Sequence, residues 1–208
     1  MRRAIIVGLS LLAFSGALGQ RLTVEAPWLL GYDAQGDVLW EIRAEVIHGD
    51  RRGWEAERVR AILYSEGKVA LEAELQGLFA DPQGERWHSV GKVTGRGDDF
   101  SFTATEISWA GGELTVKDLS LESGDLSLRA RIARWHTDGI WVLEAVEGTF
   151  GPWKFSFPRG TYDPGRGTVS IGSGFRAEGW GLVVDARAAR LSVREGKVIL
   201  EEVEAGPA

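Results

Sequence analysis

Cysteine and asparagine are missing from all 208 residues, methionine occurs once, at the start, and there are only six prolines. Without cysteine there can be no disulfide framework and no thiolate metal site, so packing alone must hold the fold. The shortage of asparagine and methionine, with arginine far outnumbering lysine, bears on heat resistance rather than on a particular chemistry. No Ser- or Pro-rich linker divides the chain, and no credible amphipathic helix follows residue 19. A basic excess is lacking too. With 24 Lys and Arg against 30 Asp and Glu the net charge is −6, which argues against nucleic acid as a partner.

What is abundant is glycine, 28 residues, in a chain that is 44% hydrophobic. That combination predicts a globular all-β protein with many turns and bulges. The first nineteen residues stand apart: Arg2-Arg3, an uncharged run from Ala4 to Leu18, then the small-residue ending Ala17-Leu18-Gly19. The run falls short of the ~20 residues that span a bilayer comfortably, so 1–19 reads as a secretory signal peptide, with a retained membrane anchor helix as the alternative. The periplasm or another cell-envelope space is the expected compartment. Without Arg2 and Arg3 the remainder carries 22 basic against 30 acidic residues.

The body of the chain repeats one rhythm. VLWEIRAEV at Val38, VALEAELQG at Val69, FSFTATEIS at Phe100, LSLRARIAR at Leu126 and LVVDARAAR at Leu182 align so that alanines fall at 44, 73, 104, 130 and 186. KFSFPRGTY from Lys154 is a sixth copy, with Pro158 in the alanine's place. In the copy at Leu126, the two-residue spacing of Leu126, Leu128, Ala130 and Ile132 puts all four on one strand face, and Asp138-Gly139 then reads as a hairpin turn. The second half of each unit has its own signature, two apolar residues two apart followed by a third after a gap of three. Examples are Trp54/Ala56/Val59, Leu114/Val116/Leu119, Trp141/Leu143/Val146 and Val198/Leu200/Val203, with Val169/Ile171/Gly174 a weaker copy. That step breaks strand parity, so each unit must bulge or turn a corner at a fixed place. Bent hairpins cannot bury their own apolar faces, but stacked neighbours close a shared interior. An inward alanine leaves room there for the opposite wall or for a guest molecule.

The opening GDVLWEIRAEVIHGD, with its pattern Gly36-Asp37-x-x-Trp40-x-x-x-Ala44, and the alternating units after it resemble the periplasmic bridge proteins of lipopolysaccharide transport, the LptC type with its LptA and OstA-like relatives. The resemblance covers roughly Leu22 to Glu204 and rests more on strand rhythm than on invariant side chains. It implies an OstA/LptC-like domain over 20–208, a β-jellyroll or folded slab of stacked bent hairpins with an apolar interior. It also implies a non-enzymatic role in which acyl chains of lipopolysaccharide or a related glycolipid shelter in an apolar trough. Partners would be homologous β-jellyroll proteins docked by strand edges, and an inner-membrane ABC transporter to drive the flow. Trough-lining candidates are Val38, Trp40, Ile42, Leu71, Phe100, Phe102, Leu126, Leu128, Trp141, Leu143, Leu182 and Val184. Arg129, Arg131 and Arg134, on alternate outward positions, are candidates for headgroup or partner contacts, with a plain solvated face as the alternative. The short N-terminal run and the acidic charge depart from that pattern.

Catalytic motifs are not found. His48, His88 and His136 lack metal-ligand spacing, and Gly172-Ser173-Gly174 lacks the spacing of a nucleophile elbow. Glu55 with Glu57 and Glu72 with Glu74 share strand faces but alternate with core residues, so they should face outward. No cofactor or metal is expected. Of nine tryptophans, Trp40 and Trp141 fall on inward positions and Trp109 and Trp135 at unit ends, whereas Trp28, Trp153 and Trp180 have no place in the repeat. An alternative function is a polysaccharide-binding or structural surface-assembly β-module, which would need outward aromatics beside polar loops.

Overall fold

The computed structural model describes residues 22–32, 36–65, 67–83, 85–135 and 139–207. The expected signal or anchor helix at 1–19, His136 and Asp138 of the expected turn lie outside the described residues. Among those described, 78% are in strands and none in a helix. In chain order the strands are β1 (Leu22–Glu25), β2 (Trp28–Tyr32), β3 (Val38–Arg43), β4 (Val46–Asp50), β5 (Gly53–Ser65), β6 (Lys68–Ala80), β7 (Arg86–Arg96), β8 (Ser101–Ala104) and β9 (Glu106–Ala110). They continue as β10 (Glu113–Ser123), β11 (Leu126–Trp135), β12 (Trp141–Phe150), β13 (Trp153–Asp163), β14 (Thr168–Ile171), β15 (Phe175–Gly179), β16 (Leu182–Ser192) and β17 (Lys197–Pro207).

Two compact units emerge. The first is built from the described residues up to Gly97 together with Glu106–Gly112, the second from Asp98–Thr105 and from Glu113 onward. In the second, successive strands pair antiparallel along the chain. β10 lies against β11, β11 against β12 and β12 against β13; β13 is flanked by the short strands β14 and β15, which in turn pair with β16, and β16 pairs with β17. β8 adds to β10. The first unit follows the same rule through β5, β6 and β7, with β3 and β4 along β5, β2 and β1 outside them, and β9 on β7.

Each long strand folds at a crease, and the step from two to three marks it. Buried positions run Leu114, Val116, then Leu119, Leu121 on β10, and Trp141, Leu143, then Val146 on β12. Inside the step sits a non-glycine residue in the left-handed region: Arg58 (φ 50°), Asp118 (49°), Ala145 (50°) and Glu202 (52°), with Ala26 (49°) doing the same between β1 and β2. Gly91 (77°) and Gly174 (69°) take the equivalent places in β7 and between β14 and β15. One left-handed residue turns the backbone, so that the next apolar side chain returns to the inner side.

The crease also runs through long strands with no positive φ, such as β11, β13 and β16. This corrects one expectation: Leu126, Leu128 and Ala130 are buried, but Ile132 is half-exposed and Ala133 and Trp135 take the inner positions. β11 lies between Asp118 of β10 and Ala145 of β12, and it bends with them. Ala44, Ala104, Ala130 and Ala186 are buried as the last inward residue before the crease, the place that Val116, Leu143 and Phe157 take in β10, β12 and β13. Ala73 is one inward position farther away, with Leu75 at the crease. In the sixth copy Pro158 is exposed, and the inner positions go to Phe155, Phe157 and then Gly160.

Within the second unit the two arms face each other. Phe100, at the head of β8, meets Tyr162 of the opposite arm edge-on, ring centroids 6.2 Å apart. Arg194 reaches Asp99 at 2.8 Å, and the Ser123 hydroxyl donates to the Asp99 carbonyl at 2.8 Å. The layer between the arms is dry: Leu114, Val116, Leu128, Ala133, Leu143 and Val169 have no exposed surface.

Candidate functional site

The inner faces carry the candidate lining residues. In the first unit Trp40 opposes Leu63, and Leu63 opposes Leu71, so Trp40, Ile42 and Leu71 lie together in the core, with Val38 half-buried at the start of β3. In the second unit Phe102, Leu121 and Leu128 form one cross-strand row, Leu126 opposes Phe150, and Trp141 opposes Trp135. Phe100, Phe102, Leu126, Leu128, Trp141, Leu143 and Val184 are all buried. Leu182 differs, being 44% exposed, because it heads β16 at the rim of the unit.

That rim is where the apolar layer comes into the open. Val198, Leu200, Val203 and Ala205 of β17 stand opposite Leu191, Ala189, Ala186 and Val184, all buried, so they belong to the inner face. Yet Val198 and Val203 are exposed, the latter by 48%. Along its other edge β17 forms no strand pairing among the described residues. No further strand among the described residues covers these side chains, and an unpaired strand edge can take up a partner strand. The repeat signature marks Val198, Leu200 and Val203 as inward residues and carries no sign of their exposure.

The three arginines part company. Arg129 and Arg131 are exposed on the outer face, whereas Arg134 is half-buried, 2.5 Å from Glu144 and 3.7 Å from Glu113. Arg134 is thereby neutralised in place. Of the paired carboxylates, Glu72 faces outward between Arg60 at 2.8 Å and Arg96 at 3.4 Å. Partial burial works to raise its pKa, but those two cations outweigh it and hold it below the usual value. Tyr162 is pushed the other way, chiefly by burial, and its hydroxyl has no hydrogen-bond partner.

The first unit holds a separate feature, an open groove of about 1230 Å³ over β4, β5, β6, β7 and β9. Its floor includes a cross-strand row of His48, Glu55, Phe79, His88 and Ser108. Phe79 stacks on His88 at 5.6 Å, and the buried Trp87 stacks on Trp109 at 6.4 Å with its indole N–H unpartnered. Phe79, an exposed apolar residue on an outward position, is the one trace of this row in the sequence of β6. No group of three or more His, Asp or Glu able to hold a metal occurs among the described residues. No family model and no curated protein matches the chain.

Proposed function

We propose that this protein is a non-enzymatic lipid bridge of the cell envelope, of the lipopolysaccharide-transport type. Its creased strands would stack as a β-jellyroll-like slab whose inner face shelters the acyl chains of a glycolipid. The observation that carries this reading is the inner face of β17, which no other described strand than β16 adjoins and where the buried layer gives way to exposed Val198 and Val203. Burial of an acyl chain is worth roughly 0.8 kcal/mol per methylene, so a lipid moves readily only along a continuous apolar surface. Docking of a homologous domain by strand addition along β17 would supply that continuity. Force would come from an inner-membrane ABC transporter, and export from the N-terminal segment.

The test is photocrosslinking in cells. A photoreactive side chain at Leu200 or Val203 should label lipid, and one at the neighbouring outward Glu201 or Glu204 should not. Mass spectrometry of extract from the native protein then names the cargo. Lipid-free native protein together with no labelling at the inward positions would overturn the reading. A second reading, a polysaccharide-binding module, draws on the groove beside Phe79, His88 and Trp54. Saturable binding of soluble glycan there, with no lipid recovered, would favour it.

A further inference from the structure

The hairpin between β15 and β16 turns on Trp180 and Gly181, both in the left-handed region (φ 52° and 74°). A tight primed turn asks for Asn, Asp or Gly at the first of these places, and a bulky aromatic there is strained. The indole gains little packing in return, since Trp180 is 77% exposed, the most exposed large apolar residue described. Trp153 packs against it edge-on, ring centroids 5.4 Å apart. Trp153 lies flat across Gly179, where a Cβ would come within 2.8 Å of the ring. The three residues form a built tip: a glycine seats one indole, which supports a second held out at the turn.

The segments that form the tip are uncharged. Thr149 to Trp153, Gly179 to Val184 and Ala205 to Pro207 contain no ionisable side chain, and the first two carry the exposed Pro152 and Leu182. The β17 segment belongs to the same end, Leu182 opposing Pro207. One exposed carboxylate flanks it, that of Asp125, whose backbone carbonyl accepts from the Gly151 N–H; behind it opposite signs face each other, Lys154 opposing Glu178 and Arg176 lying 3.2 Å from Asp185.

We propose that this tip docks on a lipid bilayer, with Trp180, Trp153 and Leu182 entering the interfacial region. Indole suits that layer because it presents an apolar body to the acyl boundary and an N–H to the wet headgroups. Balanced charge behind the tip means that anionic lipid adds little. The proposal concerns membrane contact and is independent of any cargo between the arms.

Vesicle co-sedimentation, with brominated lipids as tryptophan quenchers, tests it. The protein should bind phosphatidylcholine vesicles, with affinity changed less than about threefold by added phosphatidylglycerol or by salt. Trp180→Asn should weaken binding by about tenfold or more, as loss of a buried indole predicts. The same variant should raise Tm, because asparagine relieves the turn. Gly179→Ala, which displaces Trp153, should also weaken binding, and Trp28→Asn in the other unit should not. Four results would each overturn the proposal: no binding to either vesicle, binding that needs anionic lipid, binding unchanged in Trp180→Asn, or lost binding with a lowered Tm. Lipid-free self-association through Trp180 would overturn it as well, assigning the tip to a second copy.

Discussion

β10 to β12 and β16 to β17 are built from the same repeat, with the same two-then-three spacing and a left-handed residue at the same crease, and they differ in burial. At β12 the signature residues Trp141, Leu143 and Val146 are buried, while at β17 Val198 and Val203 are exposed and Leu200 is half-buried. The inner face is thus written into each strand, but its dryness comes from the strands on either side. β12 has β11 and β13, and β17 has β16.

The sharpest way to break that comparison is truncation on each side. Leu128→Ala, in the dry layer, should lower unfolding stability by about 2–5 kcal/mol, while Val198→Ala should cost under about 1 kcal/mol because water already reaches it. Urea unfolding measures both; equal losses would mean that β17 is covered in solution.

A smaller effect separates the ends by pH. Tyr162 helps close the interior of the second unit, and burial raises its pKa above the ordinary 10.0. Below pH about 10 the phenol is neutral in both folded and unfolded chains and the full stability is present. Above it the unfolded chain ionises first, so stability falls as pH rises. Tyr162→Phe should remove this part of the alkaline loss. At neutral pH it should change stability by under about 1.5 kcal/mol, because it also deletes an unpartnered hydroxyl. Thermal melts of the two proteins across the alkaline range read both effects.

The smallest effect lies at the crease. Ala145→Gly should stabilise by about 0.5–1 kcal/mol, as glycine accepts positive φ without the Cβ clash. Glu202→Gly should gain less, since it also gives up the exposed ion pair with Arg187. A loss at Ala145 in calorimetry would show that its methyl group packs more than its backbone strains.

The crease of β5, β10, β12 and β17 was legible in sequence, because strand parity is local: two side chains two apart share a face wherever the strand lies. Ile132 was misplaced because its own strand has no break in spacing up to that point; the bend is imposed by Asp118 and Ala145 on either side. The exposure of Leu182 and Val203 could not be read either, for a sequence pattern tells which face is inner and not what stands opposite it. The groove row from His48 to Ser108 draws on five strands, so no single segment carries its spacing.

By itself, then, the sequence determined the all-β class, the repeat and, in the strands whose own spacing steps from two to three, the inner face and the place of the bend, all of them consequences of backbone sterics and side-chain alternation over a few residues. Only the tertiary structure decided which inner faces are sealed and which is left open, and that an indole is held out at a strained turn. These depend on neighbours far along the chain: β12 lies between β11 and β13, whereas among the described residues β17 pairs with β16 alone.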